Sequence, residues 1–94
     1  MNSYDRILQQ ISKETFSSNK MNLAKQYISD RWMTTSQISE IIKLFTFAND
    51  KLELAKFSYK YVMDPKSYFA INDVLQFSND KDELSKFILE NKRH

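Results

Sequence analysis

Few side chains in this sequence could do chemistry, and the carboxylates come first among them. Asp80, Asp82 and Glu83 fall within four positions, and carboxylates serve acid–base catalysis only where a dry cleft holds their pKa values apart. The hydrophobic pattern instead places all three in the first turn of a helix, where the helix dipole favours negative charge. They therefore read as solvated structure. The run Asn79-Asp80-Lys81-Asp82 lacks the alternating oxygen ligands, the glycine and the terminal bidentate Glu of an EF-hand loop. The lone histidine is His94, and there is no cysteine, which removes disulfides, thiolate zinc sites and cysteine nucleophiles. There is no glycine either, so the P-loop, the dinucleotide fingerprint and the nucleophile elbow lack an essential residue. The expectation is a non-enzymatic domain with no catalytic residue, no cofactor and no metal.

Binding residues are easier to nominate. Lys20, Lys51 and Lys81 recur near helix starts, where a cation is slightly disfavoured. Either each lays its methylenes over the preceding Phe or meets an acid of a neighbouring helix, or the three line one edge as a track for an anion or acidic peptide. Lys25, Lys56 and Lys86 follow five residues later and either share that role or are solvated. Trp32 stands between Arg31 and Met33 at the end of a helix, and Trp and Arg are enriched in binding hot spots; packing between units is the competing and favoured role. Together with Tyr61 and Phe69, the candidate partner-binding surface is Trp32, Arg31, Tyr61, Phe69, Lys20, Lys51 and Lys81. The partner expected is a protein or peptide, and the chain itself a monomer or weak homodimer. Fourteen Lys and Arg against twelve Asp and Glu, with interleaved signs and a net charge of +2, argue against nucleic acid. No run is apolar enough for a signal peptide or a membrane span. That fits a cytoplasmic location for the chain as given, and an exported one if it is a domain of a longer protein.

The elements that must position these residues follow from a repeat. Phe16-Ser-Ser-Asn-Lys20-Met-Asn-Leu23-Ala24-Lys25, Phe47-Ala-Asn-Asp-Lys51-Leu-Glu-Leu54-Ala55-Lys56 and Phe77-Ser-Asn-Asp-Lys81-Asp-Glu-Leu84-Ser85-Lys86 align without gaps, with spacings of 31 and 30. Thirteen residues before each Phe stand Ser3, Thr34 and Asp64, all able to cap a helix start. Pro65 suits a first helical position, and Gln37 completes a capping box with Thr34. Ser18, Asn49 and Asn79 offer a second cap in each unit. Apolar residues recur at three- and four-residue spacing, as in Ile38, Ile41, Ile42 and Phe45, or Leu84, Ile88 and Leu89. Helices are thus expected near 4–15, 19–32, 35–46, 50–63, 65–76 and 80–91. The fold class is all-α: six short helices as three stacked antiparallel hairpins in one domain over 1–94, with units 3–33, 34–63 and 64–94. Phe16, Phe47 and Phe77 are expected as buried wedges at the hairpin turns.

The motif Phe-x-x-[Asn/Asp]-Lys-x-x-Leu-Ala-Lys, together with Phe45-Thr-Phe47 and the spacing of Tyr59, Asp64 and Tyr68, resembles the domain-of-unknown-function family numbered 4476, frequent in Bacteroidetes-type bacteria. The likeness covers nearly the whole chain. It implies a compact all-α module, often in an exported parent, with no catalytic residues to carry over. An interaction domain is the first functional expectation; a structural or regulatory appendage of a larger exported protein, with no ligand of its own, is the alternative.

Overall fold

The computed structural model describes residues 2–92; His94 lies outside them. Six helices follow in order: α1 Ser3–Lys13, α2 Ser17–Asp30, α3 Thr35–Ile42, α4 Ala48–Ser58 with a single 3₁₀ turn Tyr59–Tyr61 continuing it, a 3₁₀ helix Pro65–Val74, and α5 Ser78–Glu90. The Cα envelope measures 34 × 26 × 18 Å, a thickness that admits two layers of helices at interaxial distances of about 8–10 Å.

Neighbours are fixed by named contacts. Helix α1 packs on α2, α3 on α4 and on the 3₁₀ helix, and α4 on both α2 and α5. The Tyr27 hydroxyl of α2 donates to Gln10 of α1. The middles of α2 and α4 lie together, where Lys25 meets Glu53. Farther along, residues 33 and 62 form a parallel bridge, and the Met63 N–H donates to the Met33 carbonyl at 2.8 Å. Helices α2 and α4 therefore run the same way. Ile11, Ile28, Ile38, Ile41, Ile42, Leu54, Ile71 and Leu84 fill the core, and none of the described helices is long and apolar enough to cross a membrane.

Capping departs from the expectation in instructive ways. Thr34 does form a capping box with Gln37. The first helix is capped by Asn2 rather than Ser3, its Oδ1 accepting from the Asp5 N–H at 2.8 Å. The second helices begin one residue after Phe16, Phe47 and Phe77, so Ser18, Asn49 and Asn79 sit inside the first turn and the Phe residues hold the N-cap positions without a side-chain cap. Each Phe carbonyl instead accepts the N–H of the lysine four residues on, at 2.9–3.1 Å. Extended φ/ψ at the cap turns the ring outward, and all three rings are more than half exposed. They are not buried wedges.

Asp64 does not cap its own helix. Its Oδ1 accepts from the Thr35 N–H at 2.7 Å and from the Thr35 hydroxyl at 2.9 Å, tying the start of the 3₁₀ helix to the start of α3. The segment expected as an α-helix over 65–76 is a 3₁₀ helix over 65–74. Its buried residues, Tyr68, Ile71 and Val74, are spaced strictly by three, which matches three residues per turn better than 3.6. Most of its residues are β-branched, aromatic or short and polar, all weak α-formers. Among the described residues no φ is positive, so every helix closes without the left-handed glycine that commonly ends one.

Candidate functional site

The second helices carry a device that occurs twice. Lys25 of α2 places Nζ 2.6 Å from Glu53 Oε2 and 5.1 Å from the centroid of the Phe57 ring, both on α4. Lys56 of α4 pairs in the same way with Glu83 and lies 6.0 Å over the Phe87 ring, both on α5. Acid and ring are four residues apart on the receiving helix, hence on one face. The lysine stem covers apolar surface while its ammonium meets a carboxylate and a π-face. The role foreseen for the first lysine set, an ion pair to the next helix, thus falls to the second set.

Lys20 does something else. Its Nζ donates to the Leu44 carbonyl at 3.0 Å and lies 5.6 Å from the Phe45 centroid, so it satisfies a carbonyl just past the end of α3 and supplies the cation the dipole favours there. Lys51 and Lys81 share its register and are half-buried. Arg31 stacks its guanidinium 5.0 Å from the Tyr27 ring centre. Trp32 is 63% exposed, which corrects its expected place between units. Tyr61 is half-buried against Phe57, ring centres 5.4 Å apart. These residues do not gather into one site. Lys20 belongs to the α2–α3 contact, Trp32 and Arg31 to the junction after α2, and Phe69 to the far end of the molecule.

That far end holds an opening with a largely apolar lining. Between the 3₁₀ helix and α5 lies a cavity of about 630 Å³. Phe69 and Asn72 form one wall, Ser85, Ile88 and Leu89 the other, and the buried rings of Tyr59 and Tyr68 close the base. The base is rigid: the Tyr68 hydroxyl donates to the Ala55 carbonyl at 2.6 Å, the two rings are 5.2 Å apart, and burial pushes the Tyr68 phenol pKa up. Lys66 and Lys92 stand at the rim. Such a surface can take an apolar side chain or helix face and attract an acid at its margin.

Leu89 corrects another expectation. It stands twelve residues after Phe77, as Ile28 and Tyr59 stand after Phe16 and Phe47. Ile28 is 0% exposed and Tyr59 3%, yet Leu89 is 71% exposed, and Phe69 across the cavity 73%. Leu89 was expected on the buried stripe of its helix. It is bare because that stripe is covered by the following helices in the first two cases and by nothing described in the third. Sequence reasoning nominated Phe69 but missed Ile88, Leu89 and the exposed Phe row; the signal for Leu89 was its place in the third unit, where a core-type residue meets no further described helix.

Among the described residues no group of three or more His, Cys, Asp or Glu could hold a metal ion. Fold and surface together define a small all-helical domain whose distinguishing features are an apolar end cavity and a repeated lysine clamp. A family model matches residues 1–88, and the chain belongs to that family, described as Domain of unknown function (DUF4476). No curated protein and no solved structure matches it.

Proposed function

We propose that this domain is a non-enzymatic protein- or peptide-binding module, built as three stacked helical hairpins and binding through the open end of the stack. The observation that carries the reading is the pair of bare apolar side chains, Phe69 and Leu89, over a cavity whose register positions are filled elsewhere in the chain. Soluble domains seldom leave a large contiguous apolar surface uncovered without using it. The stacked arrangement is supported by the two lysine clamps, which join second helices at sequence separations of 28 and 27 and so keep the spacing of the repeat.

The alternative, a structural appendage with no ligand of its own, draws on Asp82 and Ser85. They occupy the positions of the buried Leu52 and Ala55 and are exposed, as befits a terminal unit with a polar outer face. Affinity capture from native lysate with three baits tests the choice: wild type, Trp32→Ala, and a Phe69→Ser/Leu89→Ser double variant. Binding through the end cavity gives partners lost only with the double variant. Partners lost with Trp32→Ala instead move the site to the junction after α2, and identical captures with all three baits support the appendage.

A further inference from the structure

The repeated clamp states what the exposed face of α5, beside the end cavity, is suited to receive. Lys86 stands nine residues after Phe77, as Lys25 and Lys56 stand after Phe16 and Phe47. It is exposed, and among the described residues no carboxylate or ring is set against it. Three residues on, and hence beside it on the same helix face, is Leu89. The last second helix thus keeps the cationic half of the clamp together with an uncovered apolar residue.

Resting on the interaction-module reading, we infer that the open end docks an amphipathic helix of a partner protein that carries an acidic residue and an aromatic residue four positions apart. The carboxylate pairs with Lys86, the ring lies under its ammonium, and the apolar flank of the helix covers Leu89 and Phe69. This continues the interface already formed twice inside the molecule, by Glu53 and Phe57 on Lys25 and by Glu83 and Phe87 on Lys56. A second copy stacked head to tail does not meet the requirement. At the corresponding positions its α2 carries Asn22 and Gln26, which offer neither charge nor ring. The leading unit therefore lacks the receiving half that the trailing unit calls for, and self-stacking into filaments is disfavoured at the same stroke.

The test uses the full chain and a fluorescent peptide copying residues 77–91, stapled on its outer face so that helicity is not the variable. A second stapled peptide carries Glu83→Gln and Phe87→Ala. Fluorescence anisotropy is expected to show saturable binding of the first peptide and about tenfold weaker binding of the second, the combined effect of an exposed ion pair and a cation–π contact. A Lys86→Glu chain loses the same factor, and a Glu83→Lys peptide restores it. Equal binding of both peptides, or none by the first, overturns the acid–aromatic signature. If capture still depends on Phe69 and Leu89 in that case, the module reading stands and only the signature falls. Light scattering that shows a dimer dissociated by Lys86→Glu overturns the assignment of the occupant, because the occupant is then a second copy.

Discussion

Helices α4 and α5 share a register and much of a sequence, yet they live in different surroundings. In α4, Leu52, Leu54, Ala55 and Ser58 are buried, whereas in α5 only Leu84 is. Helix α4 has neighbours on both flanks, α2 and α5, and α5 has α4 alone among the second helices. The same pattern of side chains is thus core in one place and surface in another. What decides burial is the neighbour a helix acquires, and the end of a stack exposes whatever the pattern would otherwise hide.

The sharpest way to break the comparison is Leu54→Ala. Its side chain is wholly buried in the middle of the stack, and the substitution should cost about 2–5 kcal/mol in chemical denaturation. An unchanged midpoint would mean that α4 is not the central core helix. Next comes Asp64→Ala, which leaves the buried Thr35 N–H without its acceptor and the hydroxyl with only the longer bond, 3.3 Å, to the carbonyl of residue 64. A loss of about 1–3 kcal/mol is expected, with faster amide exchange at Thr35; a loss within error would show that water replaces the carboxylate. Lys56→Ala removes a clamp whose partners are roughly a third and a half exposed, so the expected loss is at most about 1 kcal/mol and shrinks further at high salt. Lys86→Ala, in the same register, should change stability by nothing measurable. Leu89→Ser should likewise stay within about 0.5 kcal/mol, although Ile28 and Tyr59 in its register are core residues. A large destabilisation there would show that Leu89 is covered in solution.

How much of this was legible beforehand depends on which physical term decides each feature. The helical class, the repeat and the Thr34 cap are local, written in spacing and in residue types, and the structure carries all six helices. The stripe of Ile38, Ile41 and Ile42 reads correctly as α, whereas Phe45, expected within the same helix, is buried three residues beyond its end. The stripe Tyr68, Ile71, Val74 and Leu75 mixes spacings of three and four and reads as α too; its period of three emerges only because the helix ends at Val74 and leaves the buried Leu75 outside. Phe16, Phe47 and Phe77 misled because a large ring next to a core run suggests burial, whereas its direction is set by the extended backbone at the cap. Asp64 misled for a related reason: a side chain able to cap its own helix found stronger donors on Thr35, distant in sequence. The candidate site was least legible of all. Phe69 was named, but the cavity exists only through the placement of the 3₁₀ helix against α5, and Trp32, Arg31 and Tyr61 proved to lie elsewhere.

The backbone without a single positive φ among its described residues has a practical consequence for genetics. At no such position does the chain demand a conformation that only glycine or asparagine tolerates. Replacement by alanine therefore introduces no clash of the main chain with itself, and Pro65 is the one site where it would loosen rather than preserve φ. In an alanine scan of this chain, scores at the described positions will therefore report mainly lost side-chain contacts, so a map of intolerant surface positions would trace a partner's footprint.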